Sequence, residues 1–225
     1  MLTTALQSIL LASGGLFSVG SITIVILLLL SDQGWRTGVA YVVGYTGMYT
    51  LIGVGVVLVG ANVAQNGSGE SGNFSSILVM VLGGVLIWLG LRNWRKPVPA
   101  ADEPVQPPRL FAMLDGITPL KALGFGALVS VVNFKNLAIF LSAISVLLTS
   151  DLSTVSKLLI VPFDVLAFCL AVILPVLIYI SFPAQANDRL NRFKRSLETH
   201  SRAIGIWAPL AFGLIFILRG ASGLL

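Results

Sequence analysis

Three polar residues stand close together inside a long apolar stretch. Asn133, Lys135 and Asn136 lie in the run from Ala122 to Leu148, whose only charged residue is Lys135. A run of this length is long enough to cross a bilayer. Because a lysine deep in hydrocarbon costs about 3 kcal/mol on insertion scales, it normally faces a protein interior, a wet cavity or a counter-charge. Together, an amine and two amides could bind an anionic or hydroxyl-rich group.

A carboxylic acid lies in the next apolar run. Asp164 follows Pro162 and stands at a depth comparable with that of Lys135, for helices that rise about 1.5 Å per residue. We therefore predict that Asp164 is the resting counter-charge of Lys135, displaced by an anionic group or protonated during a transport cycle. A purely structural ion pair, or an Asp164 held neutral by burial, is the alternative.

The first apolar run has small polar residues at its centre. Ser18 and Ser21 flank Val19 and Gly20 there. In lipid such residues permit either close helix packing or a local break, and the sequence leaves both open. One constant offset lays Ser18 on Asn133 and Ser21 on Asn136, so both serines join the predicted substrate site.

Composition predicts a polytopic membrane protein. Of 225 residues, 56% are hydrophobic and 10% charged, and the mean hydropathy is +0.95, which excludes an ordinary soluble domain. The alternation of a β-barrel strand is not visible, so the expected fold is all-α. Hydropathy predicts six transmembrane helices near residues 5–30, 37–60, 74–94, 118–149, 155–181 and 202–221.

A proline-rich segment divides these spans into two groups of three. It runs from Lys96 to Pro108 and predicts an extended cytoplasmic linker. The predicted organisation is a first three-helix repeat at 1–95, a linker at 96–116 and a second repeat at 117–225. Because three is odd, the two repeats would be inverted, an arrangement that typically sets the substrate site at the membrane midplane between them.

Basic residues predict the orientation. Except for Lys135, Lys157 and Arg219, every Lys and Arg lies in the first, third and fifth connections. The positive-inside rule then places those connections in the cytoplasm and both termini outside the cytoplasmic membrane. The segment from Met1 to Leu11 has no basic residue of the kind that opens a secretory signal, so we expect the first span to be retained.

Small residues at four-residue spacing predict close helix packing. Ala122, Gly126 and Ser130 form one such strip in the fourth span. Ala40 and Gly44 form another in the second span, which we interpret mainly as a packing surface.

Several function classes are disfavoured by residue usage. Cys169 is the only cysteine and His200 the only histidine, so a cysteine pair and a multi-histidine metal site are excluded. No nucleotide-binding loop is apparent, and the spans lack a convergent acid, base and nucleophile. We therefore expect no enzyme activity, no cofactor and no nucleic-acid partner.

Longer motifs resemble a known family. The segments 89–95, 108–119 and 133–137, with the later stretches 188–200 and 213–220, are similar to the actinobacterial peptidoglycolipid-addressing and sulfolipid-addressing proteins of the wider lysine-exporter superfamily. The family's Asn-Pro-Lys-Asn signature maps onto residues 133 to 136, with Phe134 in place of the proline. The proline of the family's first span is also missing. Without these two prolines, the sequence does not decide whether the first and fourth spans are broken helices.

The resemblance implies a six-span exporter of glycolipids or related envelope components. Its partners would be membrane lipids, an amphipathic glycolipid substrate and proteins of a lipid-export complex, with a homo-oligomer left open. Energy would come from an ion gradient or a partner protein. The alternatives are a small-solute or amino-acid exporter and a non-transporting accessory subunit.

Overall fold

The regular structure of the described residues is entirely helical, which confirms the all-α fold class. The computed structural model describes residues 1–31, 34–66, 71–95 and 116–222. Its helices are α1 (Leu2–Ala12), a 3₁₀ segment (Ser13–Phe17), α2 (Val19–Leu29), α3 (Gly34–Asn66), α4 (Ser71–Arg95), α5 (Pro119–Val132), α6 (Phe134–Leu148), α7 (Thr154–Ser181), a second 3₁₀ segment (Pro183–Gln185) and α8 (Ala186–Ser222). The predicted linker at 96–116 lies outside the described residues except for Gly116.

In the described part of the chain, two helices are long and apolar enough to cross a membrane. They cover Gly34–Ala61 of α3 and Thr154–Ser181, which is all of α7. Two bent helix pairs, α1 with α2 and α5 with α6, raise the number of candidate spans to four when each pair is counted as one span. Within α8, Ala203–Leu218 forms a shorter apolar stretch.

Both bent pairs break at a single non-helical residue. The first pair bends by 61° at Ser18 and the second by 73° at Asn133. Their backbone angles are similar, with φ −85° and ψ 64° at Ser18 and φ −80° and ψ 78° at Asn133. The offset that aligned these residues in the sequence therefore also aligns two breaks of like geometry. The break hypothesised for the fourth span is confirmed, and the first span breaks as well.

The small residues hold α3 and α5 in close contact. A Cβ atom added at Gly126 would overlap the backbone oxygen of Tyr41, and one added at Gly44 would overlap the backbone oxygen of Leu123. Ala122 and Ser130 of the same strip are buried. The predicted packing role of both strips is confirmed. Glycines likewise bring α4 and α8 together, where Gly83 and Gly213 each approach the other's backbone oxygen.

The core lies around the second halves of the broken helices. Residues of α2 and α6 are buried on most sides and pack against α3 and α7. Aromatic rings fill the centre, where Tyr49 lies 4.8 Å from Phe140 and 4.6 Å from Phe168 between ring centroids. This packing fixes the two helix breaks relative to each other.

Candidate substrate site at the two helix breaks

Asn136 connects the two broken helices directly. Its side-chain nitrogen Nδ2 donates hydrogen bonds to Ser18 Oγ and, at 3.0 Å, to Tyr45 Oη. Ser18 is the N-cap residue of α2, while Asn136 lies in the first turn of α6. The predicted site residues Ser18 and Asn136 therefore meet, although 118 positions separate them.

Asn133 shapes the second break. It is the N-cap residue of α6, and its side-chain Oδ1 accepts a hydrogen bond from the backbone N–H of Asn136 at 3.3 Å. Such a cap satisfies one of the free N–H groups at the start of a helix. Asn133 thus positions Asn136, and the helix restarts at Phe134 without the proline of the family signature.

Lys135 reaches across to the first break. Its Nζ donates a hydrogen bond to the backbone oxygen of Phe17 at 3.3 Å. Phe17 ends the 3₁₀ segment, where carbonyl groups lack helical partners and carry partial negative charge. The side chain of Lys135 is half-buried, and the side chains of Phe17 and Phe134 are exposed.

A ladder of three tyrosines completes the buried part of the site. Tyr41, Tyr45 and Tyr49 follow one another at four-residue spacing on α3, and all three are fully buried. Their rings contact in sequence, with centroid distances of 5.9 and 5.0 Å. Ser21, the last predicted serine, is buried in α2 and faces the hydroxyls of Tyr41 and Tyr45.

Sequence reasoning missed the tyrosines. Their spacing marks one face of a helix, which was a usable signal, but we interpreted the second span mainly as a packing surface. A buried tyrosine normally finds a partner for its hydroxyl, so three on one face predict a polar cluster as well as apolar packing.

Several polar atoms of this cluster have no hydrogen-bond partner among the described residues. They are Ser21 Oγ, Tyr41 Oη, Tyr49 Oη and Asn136 Oδ1. Buried polar groups are almost always paired, so unpaired ones indicate a place for water, an ion or a ligand. The cluster combines donors and acceptors without a full charge and is suited to hydroxyl groups.

The predicted ion pair between Lys135 and Asp164 is wrong. The amine of Lys135 is bound to Phe17, and neither carboxyl oxygen of Asp164 has a hydrogen-bond partner in the described part of the chain. Asp164 instead faces Ser8 of α1. Depth along two helices sets the height of two side chains but not the direction in which each points, and Lys135 sits where its helix turns by 73°.

These features define a class of protein: a helical membrane protein with two broken helices that meet at a polar cluster.

Among the described residues, no group of three or more His, Cys, Asp and Glu side chains could hold a metal ion.

The chain belongs to the family described as Sap, sulfolipid-1-addressing protein, whose model matches residues 9–222. The family suggested by the sequence motifs is thereby confirmed. No curated protein and no solved structure matches the chain significantly.

Proposed function

We propose that this protein translocates glycolipids or related envelope lipids across the cytoplasmic membrane, with the polar head group bound at the two helix breaks. Its family is named for the addressing of sulfolipid-1, which supports a lipid-related role at the cell envelope. The observation that carries the proposal is the half-buried Lys135, bordered by exposed apolar side chains and adjacent in sequence to Asn136 of the buried polar cluster.

The flank around Lys135 suits an amphipathic substrate. Phe134 is 72% exposed and Phe17 41% exposed, so apolar surface lies on both sides of the amine. A lipid could bring its head group to Lys135 while its acyl chains stay beside these rings in the bilayer. A lysine side chain is suited to the boundary between the acyl chains and the polar head group, because its stem is apolar and its amine is charged.

Electrostatics favour an anionic head group. The N-termini of α2 and α6 meet through the Ser18–Asn136 contact, and each carries partial positive charge. Half-helix N-termini of this kind face anionic substrate groups in transporters. Lys135 adds a full charge, and an arriving sulfate or carboxylate would replace the carbonyl of Phe17 as its partner.

The inner cluster supplies contacts for sugar hydroxyls. Tyr41, Tyr49, Ser21 and Asn136 each present an unpartnered polar atom. A carbohydrate head group offers many donors and acceptors, and satisfying buried ones contributes about 1 kcal/mol each. We therefore assign charge recognition to Lys135 and carbohydrate recognition to the cluster.

We further propose that six spans form two inverted three-helix repeats around this site, near the membrane midplane. One sequence offset aligns Ser18 with Asn133 and Ser21 with Asn136, and the backbone angles of Ser18 and Asn133 are similar. Both observations support the proposal. The packing also has matching pairs, because α3 contacts α5 of the other half while α7 contacts α1 and its 3₁₀ segment. Basic connections would lie in the cytoplasm, with both termini outside.

This role requires no enzyme chemistry and no cofactor, since an ion gradient or a partner protein would supply the energy. A non-transporting accessory subunit is the second candidate. The observation in its favour is that Lys135 and Asn136 already have protein partners, as expected of residues that only stabilise the breaks.

Flux in proteoliposomes distinguishes these candidates. Vesicles of phosphatidylcholine with and without the purified protein are compared for transbilayer movement of a labelled sulfated glycolipid, a neutral glycolipid and free lysine. We expect saturable movement of the sulfated glycolipid only when protein is present. Movement of lysine alone would identify a small-solute exporter, while the absence of any protein-dependent movement would favour the accessory subunit.

A further inference from the structure

Asp164 is a buried acid that the proposed site does not use. Its side chain is fully buried in α7, and neither carboxyl oxygen has a hydrogen-bond partner among the described residues. Lys135, the cation expected nearby, is bound elsewhere. An unpartnered carboxyl group at this depth is a feature that structural packing does not explain.

One hydroxyl group interacts with the carboxyl group of Asp164. Ser8 of α1 is also fully buried and faces Asp164, while its own Oγ donates to the backbone oxygen of Ala5 at 3.0 Å. Lys157, the single basic residue of α7, donates to the backbone oxygen of Leu148 at 3.2 Å.

The other fully buried titratable side chains of the described residues lie in the other cluster. Tyr41, Tyr45 and Tyr49 of α3 interact with one another and with Cys169 of α7. None of these groups interacts with the carboxyl group of Asp164, for which Ser8 is the polar neighbour.

A carboxylate without a partner at this position would be costly. Burying an isolated charge costs so much free energy that such groups become neutral instead. A metal cation requires several oxygen ligands, whereas Asp164 and Ser8 provide one carboxyl group and one hydroxyl. A proton bound to the carboxyl group of Asp164 removes the buried charge and requires no further ligand.

We propose that Asp164 is a proton-binding site, separate from the head-group site, whose protonation and deprotonation couple lipid movement to the proton gradient. The coupling half of this proposal rests on the proposed function. In the buried state the carboxyl group holds the proton. When α7 opens the group to water it ionises, and the proton is released on the side opposite to that from which it was taken up.

A place for this opening exists in α7 itself. Pro162 lies two residues before Asp164, inside the helix. Because proline has no N–H, the hydrogen bond to the residue four positions earlier is missing, and helices bend at such points. Movement about Pro162 would change the exposure of Asp164 and would also act on the first break, because α7 packs against the 3₁₀ segment that ends there.

Infrared spectroscopy tests the proton site without any substrate. The protein in phosphatidylcholine vesicles is compared with Asp164→Asn and with Asp151→Asn, which alters an exposed acid outside the helices. We expect the carbonyl band of a protonated carboxylic acid near neutral pH in the wild type and in Asp151→Asn, and its loss in Asp164→Asn. A wild type without the band, or an unchanged band in Asp164→Asn, overturns the proposal.

Ser8→Ala provides a second variant that keeps the acid. Removal of the facing hydroxyl should shift the pH at which the band disappears, while the band itself stays. If Ser8→Ala titrates as the wild type does, the placement of the Ser8 hydroxyl opposite the carboxyl group of Asp164 is contradicted.

Flux with an imposed pH gradient tests the coupling. We expect the gradient to drive accumulation of the sulfated glycolipid in the wild type, and Asp164→Asn to lose this response while exchange without a gradient persists. Equal responses in the two proteins would overturn the coupling. Absence of all flux, with the infrared band present, would reject the translocator but not the proton site.

Discussion

The amine of Lys135 donates to the backbone oxygen of Phe17 at 3.3 Å and so joins the second broken helix to the end of the first. A lysine at the end of a helical segment stabilises carbonyl groups that have no helical partner. The same amine is the group best placed to meet an anionic lipid. An anionic substrate and the backbone oxygen of Phe17, at the first break, would therefore compete for the amine of Lys135.

The close contact of α3 and α5 predicts different effects for two glycines of α5. A Cβ atom at Gly126 would overlap the backbone of α3, whereas nothing lies within 4 Å of a Cβ atom at Gly124. We expect Gly126→Ala to lower the free energy of unfolding by about 1–3 kcal/mol, as overpacking does. Gly124→Ala should be neutral or stabilising by up to about 1 kcal/mol.

Thermal unfolding of both variants in the same detergent measures this difference. Equal melting temperatures for Gly124→Ala and Gly126→Ala would contradict the close crossing of α3 and α5.

The contacts of Asn136 predict a larger loss of stability than those of its partner Tyr45. Asn136→Ala removes both side-chain hydrogen bonds and leaves Ser18 without its partner. We expect a cost of about 1–3 kcal/mol, the range for buried polar groups left unpaired. Tyr45→Phe removes one hydrogen bond and should cost about 0.6 kcal/mol, the average within membranes.

Unfolding titrations provide the comparison, with Asn93→Ala as a control that loses one hydrogen bond far from the breaks, to the backbone oxygen of Gly205. A cost for Asn136→Ala no greater than that for Asn93→Ala would show that Asn136 does not connect the broken helices.

The geometry of the second break predicts that proline is accepted at position 134. Phe134 is the first residue of α6, and its side chain is largely exposed. Proline suits the first position of a helix, and Asn133 before it is already outside the helical region, with ψ 78°. We expect Phe134→Pro to keep the fold and to gain about 0.4–1 kcal/mol by restricting the unfolded chain.

The melting temperature and helical circular dichroism of Phe134→Pro test this. Leu137→Pro is the matched control, because the backbone N–H of Leu137 donates to the backbone oxygen of Asn133, and proline would remove this hydrogen bond. Similar losses in both variants would contradict a helix start at Phe134.

Much of the fold was predictable from patterns along the chain. Apolar length predicted helices, and the spacing of Ala122, Gly126 and Ser130 predicted close packing against a neighbouring helix, because both depend on local sequence. The offset between Ser18 and Asn133 aligned two polar positions, but the sequence left undecided whether the helices break there. A break requires only a capping residue and packing that holds the two halves at an angle, so the missing prolines did not prevent it.

The candidate site was predictable only in part. Polar residues in an apolar run stand out, so Ser18, Asn133, Lys135 and Asn136 were found. The partners of Lys135 and Asp164 were not, because direction around a helix axis depends on tertiary packing. Whether a buried hydroxyl is paired also depends on neighbours far along the chain, which is why the tyrosines of α3 were missed.

The central claim is that Lys135 binds the lipid head group. It is tested most directly by measuring flux of the sulfated glycolipid in vesicles that contain the Lys135→Gln variant, whose side chain has a hydrogen-bond donor but no charge. Lys157→Gln is the matched control, since Lys157 also donates to a backbone oxygen but lies outside the two breaks. A hydrogen bond to a charged group is worth about 1.5–3 kcal/mol, so we expect flux to fall roughly tenfold or more in Lys135→Gln, with a free energy of unfolding similar to that of the active Lys157→Gln. Wild-type flux in Lys135→Gln at equal stability would contradict a head-group site at Lys135.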